Sequence, residues 1–176
     1  MQQFSHTICF LRQGESLVML NRRYAPNQGL WNGVGGRIEP GETPSEGIIR
    51  EIQEEVGISL LPEQVQSKGY VTWWWLNDDD GLPTINRGGM HLFCAELPGE
   101  LPYPLPLRSE EGLLDMLPAA WITEEGNTGV VSNIPFIFRY LFDDPQSYEH
   151  RCIYQKVAAA SGDIYILSDV QAIPLD

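Results

Sequence analysis

The chain is poor in positive charge. Eleven Lys and Arg stand against 24 Asp and Glu over 176 residues, a formal net charge of −13. So acidic a protein lacks the broad basic face that grips a nucleic acid polymer through its phosphates, and no such polymer is an expected partner. Cysteine is scarce as well. Cys9, Cys94 and Cys152 are widely spaced and odd in number, which argues against a disulfide framework or structural zinc and for a reducing, cytoplasmic setting. No apolar run approaches the roughly 18 residues a membrane span requires, and residues 1–20 carry no secretory pattern, so no membrane partner is expected. What is present is ordinary globular material: 43% hydrophobic and 20% charged residues, in a length that suits one domain over residues 1–176.

Along the chain, residues 4–12 read as a buried strand with Ile8 and Phe10 on one face and Cys9 and Leu11 on the other. A turn at residues 13–16 and a strand over residues 17–20 complete a hairpin. Residues 21–40 are rich in Gly and Asn and read as loops around a short extended piece at Leu30-Trp31. The clearest element follows. Thr43-Pro44-Ser45-Glu46 is a capping box with proline at the first helical position, and Gly57 suits the left-handed residue just past a helix ending near Val56. Ile48, Ile49, Ile52 and Val56 form the stripe that seats this helix. Strands are expected at residues 70–76 and 90–97 around an acidic loop, 77–89. An irregular connection with four prolines follows over 97–106, then short helices at 118–121 and 134–142. A closing hairpin is expected from residues 151–157 and 164–167 through Ser161-Gly162-Asp163. This order makes an α+β or sandwich-type domain.

On the predicted helix, Glu51, Glu54 and Glu55 share about a third of the circumference. Three carboxylates so placed repel one another by a few tenths of a kcal/mol per pair when exposed, and by more when partly buried. The plain reading is a solvated acidic stripe. Two features favour another: the stripe adjoins the apolar face, and Gly33-Val34-Gly35-Gly36 before it is nearly bare backbone. Clustered oxygen donors at a loop–helix junction suit Mg²⁺ or Mn²⁺.

Taken together, Gly36-x5-Glu42-x7-Arg50-Glu51-Ile52-x-Glu54-Glu55-x-Gly57-Ile58 resembles the complete signature of the Nudix hydrolases, with every fixed position filled across 23 residues. The resemblance implies an α/β/α sandwich around a mixed β-sheet. It also implies metal-assisted hydrolysis of a nucleoside diphosphate linked to a further moiety, with Mg²⁺ or Mn²⁺ as cofactor and a nucleotide as partner. Carboxylates repel a polyphosphate, but divalent cations held by them bridge to it, activate water and neutralise the leaving group. Carried onto the matching positions, Glu51, Glu54 and Glu55 are metal ligands, with the Gly36 carbonyl as a further one. Arg50 orients a catalytic glutamate, Glu51 in the first place, or else is an ordinary surface ion pair. Glu42 supports the loop. A later glutamate often completes such sites; Ser109-Glu110-Glu111-Gly112 offers two, of which Glu111 is preferred for the glycine that follows it, and a purely polar turn is the alternative. The catalytic set is therefore Glu54, Glu51, Arg50 and Glu111. The family's members are often dimers, so a homodimer is an expectation.

Substrate must be argued from outside the signature. Trp31-Asn32-Gly33-Val34-Gly35-Gly36 resembles the MutT-like, 8-oxo-dGTP diphosphatase branch, in which the asparagine binds the base, a role carried to Asn32. Residues 90–96 and 131–135 resemble the same branch and put Asn133 at a second base contact. There the best-known members have two aspartates, and Ser132-Asn133 depart from that pattern. A base-stacking tryptophan is expected among Trp73, Trp74, Trp75 and Trp121, with Trp74, which faces opposite its neighbours, carried as the candidate. His6, His91, Met19 and Met90 read as packing residues and the cysteines as buried and inert. The marks of the ADP-ribose, NADH and coenzyme A branches are absent; Trp74 stands where the first carries proline. The expectation is hydrolysis of a purine (d)NTP, or an oxidised one such as 8-oxo-dGTP, to monophosphate and pyrophosphate. The alternatives are another nucleoside diphosphate derivative as substrate, or a nucleotide-sensing domain that cuts nothing.

Overall fold

A computed structural model, which describes residues 4–76, 83–84, 88–159 and 162–176, builds ten strands and three short or medium α-helices from these segments. In chain order they are β1 (Thr7–Gln13), β2 (Ser16–Arg22), β3 (Trp31–Asn32), α1 (Pro44–Val56), β4 (Val65–Leu76), β5 (Pro83–Thr84) and β6 (Gly89–Glu96). Then come β7 (Leu107–Arg108), β8 (Gly112–Pro118), α2 (Ala119–Ile122), α3 (Ile134–Ile137), β9 (Tyr148–Ala159) and β10 (Gly162–Pro174). The strands form one sheet in the order β10-β9-β4-β6-β1-β2-β8-β7, with β3 attached to β2 and β5 to β4. β1 runs parallel to β6 and β4 parallel to β9, and the remaining pairs are antiparallel, so the sheet is mixed.

Period-two burial divides the core. Cys9, Leu11, Val18, Leu20 and Phe93 pack under α1, whose Ile48, Ile52 and Val56 are at most 1% exposed. Their strand neighbours Ile8, Phe10, Leu17, Met19 and Leu92 turn to the other face, where α2, α3 and the turn after α3 cover them through Ile122, Ile134, Ile137 and Leu141. The result is the expected α/β/α sandwich around a mixed sheet, an α+β fold. Among the described residues, no helix is long and apolar enough to cross a membrane.

Local chemistry fixes α1. Thr43 accepts a hydrogen bond from the Glu46 N–H, and the Glu46 carboxylate accepts one from the Thr43 N–H at 2.8 Å. Gly57 stops the helix at φ 69°, its N–H donating to the Gln53 carbonyl at 3.0 Å.

Elsewhere the strands outrun their predicted limits. β4 reaches back to Val65, and the closing hairpin extends from Tyr148 to Pro174 with a register shift between Leu167 and Asp169. The predicted helix over 134–142 divides into α3 and a 3₁₀ turn at Phe138–Tyr140, which still turns Ile134, Ile137 and Leu141 inward. β8 is an addition. Its Leu113 is exposed and its Leu114 buried, but the Leu-Leu and Met-Leu pairs mask that alternation in the sequence. Most of the loop at 77–89, and Ser161 of the closing turn, lie outside the described residues.

Replacing Thr43 by Ala is expected to cost about 1 kcal/mol of stability, the usual value of an N-cap, measured as a lower urea midpoint with unchanged slope. An unchanged midpoint would show that α1 is held by packing alone.

Candidate active site

The site begins where β1 and β2 part. They pair near their turn, Leu11 with Val18 and Gln13 with Ser16. Towards the other end residues 31–37 enter between them. Asn32 pairs with Leu20 of β2, Cys9 and Val34 exchange two backbone hydrogen bonds at 2.7 and 3.1 Å, and the Thr7 N–H donates to the Gly36 carbonyl at 2.8 Å. The wedge leaves no room for side chains. A Cβ on Gly33 would stand 2.7 Å from the Cys9 carbonyl oxygen, and one on Gly35 2.5 Å from that of Thr7. Two of the three glycines are therefore demanded by packing beside β1. Gly36 differs: its Cα faces the Glu51 carboxylate, 2.6 Å from where a Cβ would sit.

α1 lies across this wedge and presents its glutamates to it. Arg50 organises them. Its Nε and one Nη2 hydrogen donate to the two oxygens of Glu42 at 2.8 and 3.0 Å. Nη1 donates to Glu51 at 2.9 Å and Glu54 at 3.1 Å, and the second Nη2 hydrogen goes to the Arg37 carbonyl at 2.8 Å. All five guanidinium donors are thereby used. Glu42 has a supporting part, since it also caps the Glu39 N–H at 2.9 Å, and the Arg50 guanidinium holds its carboxyl below the usual carboxylate range. The three helix carboxylates differ in solvation: Glu54 is 58% exposed and Glu51 14%. Glu55 accepts the Gly35 N–H at 2.9 Å, and its carboxyl is pushed up to about 7, first by burial and then by the negative charges of Glu51 and Glu111.

These groups open on a cavity of about 810 Å³ at one end of the sheet. Glu51, Glu54, Glu55, Glu110, Glu111 and Gly36 line it, and so do Asn32, Trp73, Met90 and Ile8. The structure thus brings together the predicted Gly36, Glu51, Glu54, Glu55, Glu111 and Asn32, with Arg50 behind them. It places two others elsewhere. Asn133 is buried with its amide 3.3 Å from the Cys152 sulfur. Trp74 stacks on the Arg151 guanidinium at 4.8 Å and donates Nε1–H to Thr72. The pleat turns Trp73, not Trp74, toward the cavity. Met90, read as core, lines the cavity too, as does the exposed His6, whereas His91 is packed between Phe4 and Tyr70.

The donor set suits a hard divalent cation: five carboxylates and a carbonyl on one cavity, with one carboxyl raised chiefly by its burial. Among the described residues, no three acidic, His or Cys side chains already converge on a single point. The reason is visible in their partners. Arg50 holds Glu51 and Glu54, Glu55 is turned onto Gly35, and the Gly36 carbonyl already accepts from Thr7. A cation here would compete with the Nη1 hydrogens for the same oxygens.

The raised Glu55 carboxyl carries a sign. A carboxyl with a folded pKa above its unfolded value favours the fold fully below the ordinary carboxyl range and loses that contribution as pH rises through about 7. In EDTA, Glu55→Gln is therefore expected to gain in melting midpoint over the wild type between about pH 5.5 and pH 8. A difference constant over that interval would mean that Glu55 is solvated.

Comparison with known proteins agrees with this construction. A family model described as the NUDIX domain matches residues 2–125. A Nudix hydrolase of Bacillus subtilis (strain 168), YvcI, itself uncharacterized, is 34% identical over 90 residues, 51% of this chain and 52% of that one. An oxidized purine nucleoside triphosphate hydrolase of Mus musculus is 26% identical over 91 residues, 52% of this chain and 53% of that one. The chain spans about half the length of the curated relatives it matches. The crystal structure of a MutT protein from Bacillus halodurans superposes with a TM-score of 0.62 at 20% identity over 95% of each chain, a likeness of fold. Since the family model takes in well over half of the chain, and its glutamates stand where the fold opens a cavity, the protein belongs to the NUDIX family.

Proposed function

We propose that the protein hydrolyses a purine nucleoside triphosphate, or an oxidised form such as 8-oxo-dGTP, to the monophosphate and pyrophosphate, with Mg²⁺ or Mn²⁺ as cofactor. The observation that carries this reading is one cavity lined both by carboxylates, Glu51, Glu54, Glu55 and Glu111, and by an aromatic ring and an amide, Trp73 and Asn32. Glu51, Glu54, Glu55 and Glu111 would hold the cation, which supplies charge neutralisation to the phosphates and acidity to a bound water. Glu54, the most exposed of the helix carboxylates, accepts the proton of the attacking water, and Arg50 fixes its direction. Asn32 is directed by its own backbone: its Oδ1 accepts the Gly33 N–H at 3.0 Å, which leaves the NH₂ donors for an acceptor on the base edge. The relative from Mus musculus, named for oxidized purine nucleoside triphosphates, supports the purine class.

Two tests bear on the reading. Glu54→Gln is expected to lower magnesium-dependent turnover by more than ~100-fold with an unaltered circular dichroism spectrum, and EDTA to silence the wild type. A fully active variant would remove Glu54 from the chemistry. For the base, Trp73→Leu is expected to raise KM for a purine triphosphate about tenfold, a typical stacking loss, and Asn32→Ala to raise it comparably. Trp74→Leu should move KM less than about twofold, because that ring stacks on Arg151. The opposite ranking of the two tryptophans would overturn the placement of the base.

A further inference from the structure

Beyond the carboxylates, on the side of the site away from Trp73, three arginines meet at a second cavity. It measures about 330 Å³, is lined by Arg22, Arg23, Arg108, Asn21, Ser109 and Leu113, and shares Arg22 and Ser109 with the larger cavity. Strand pairing fixes the corner. Arg22 stands opposite Gly112 and Arg108 opposite Leu113, while the Arg23 N–H donates to the Glu111 carbonyl at 2.8 Å and the Ser109 N–H to the Gly112 carbonyl at 2.8 Å. The same tight turn that presents Glu110 and Glu111 to the carboxylate centre thus presents Arg108 and Ser109 to the corner.

Among the described residues the charges at this corner have no ion-pair partner, although Arg22 lies near enough to Glu55 to favour its charged form. In a chain of net charge −13, Arg12, Arg50 and Arg151 have carboxylate partners, yet among the described residues Arg22, Arg23 and Arg108 have none within 4 Å. Arg22 donates Nε–H to the Pro26 carbonyl at 2.9 Å, and the Arg23 guanidinium rests 5.4 Å from the Tyr24 ring, so both are positioned without losing their charge. Like charges gathered at a concave surface repel one another, and an anion relieves that repulsion. Guanidinium forks match phosphate oxygens in particular.

The position of the corner bears on which phosphate it would meet. Across the sheet the order runs from Trp73 on β4 and Met90 on β6, through the carboxylates against residues 31–37, to Arg22 on β2 and Arg108 on β7. The stacking end and the arginine corner flank the carboxylate centre on opposite sides. We propose that the corner is a phosphate subsite for the part of the chain beyond the bond that is cut, so that the preferred substrate is a nucleotide whose phosphates continue past the third. The inference rests on the hydrolase reading above. In the reaction the bond between the first and second phosphates breaks, and water supplies a hydroxyl to one side and a proton to the other. Tripolyphosphate leaves in place of pyrophosphate.

The test uses linear guanosine 5′-tetraphosphate and guanosine 5′-triphosphate with the wild type and with Arg108→Gln, together with calorimetric titration of inorganic tripolyphosphate in EDTA. The wild type is expected to favour the tetraphosphate in kcat/KM by about tenfold, the worth of one charge-assisted phosphate contact, and Arg108→Gln to erase that preference. Tripolyphosphate should bind the variant about tenfold more weakly than the wild type. Equal kcat/KM on both nucleotides in the wild type, or tripolyphosphate binding indifferent to the substitution, overturns the subsite. If neither nucleotide is hydrolysed, the reading that unoxidised purine nucleotides are cleaved falls, and the tripolyphosphate titration still decides for or against the corner.

Discussion

One guanidinium ties the site together. Arg50 joins the loop that carries Arg37 and Glu42 to the helix that carries Glu51 and Glu54, and it does so with every N–H it has. No ammonium could replace it. A lysine offers three donors around a point charge, whereas here five donors in a fixed plane meet three carboxylates and a carbonyl in different directions. The tie also answers a like-charge problem. Glu51 and Glu54 stand on one helical face with Glu55 beside them, and mutual repulsion would splay them into solvent if no cation lay between. Held by Arg50, they stay at the wedge formed by residues 31–37, where the Gly36 backbone meets the Glu51 carboxylate.

A protein of net charge −13 that receives a polyanion must arrange its charge locally, because net charge acts only over about a Debye length, roughly 8–10 Å at ordinary ionic strength. The arrangement along this end of the sheet does so. The carboxylates that would hold a divalent cation, and so present positive charge toward phosphate, line the same cavity as Arg22 and Arg37. The field that a substrate meets is set by these few groups rather than by the acidic surface behind it.

Much of this was legible in the residues, and the parts that were not share a cause. α1 was readable to its caps because capping box, apolar stripe and left-handed glycine are all local signals, each satisfied within a few residues. The carboxylates were readable because their spacing on that helix fixes their face. The wedge was harder. Gly33 and Gly35 look like a loop made for a ligand, but the space they save is taken by β1, a contact between segments more than twenty residues apart. Asn133 and Trp74 illustrate the same point. Each is a plausible base contact by type and neighbourhood, but the first turns its amide to Cys152 on β9 and the second stacks on Arg151 of the same strand. β9 lies some 70 residues from β4 in sequence, and only the parallel pairing of the two strands shows where those side chains go. β8 is not legible because its Leu113-Leu114 and Met116-Leu117 pairs hide the alternation of exposed and buried positions.

The site also separates what must be rigid from what is free to differ. The carboxylates ride on a helix whose Ile48, Ile52 and Val56 are locked into the core, so their spacing is coupled to the whole sandwich. The groups at either end are held far less tightly: Trp73 and Met90 are only partly buried, and Arg108 is exposed on a two-residue edge strand. Altering the carboxylate spacing would require moving α1 against β1 and β4, and every core contact resists that. Altering either end exchanges a side chain over solvent or a partly open cavity. The groups proposed to select base and phosphate tail therefore sit where substitution disturbs least, on the rim of a centre that the core itself holds in place.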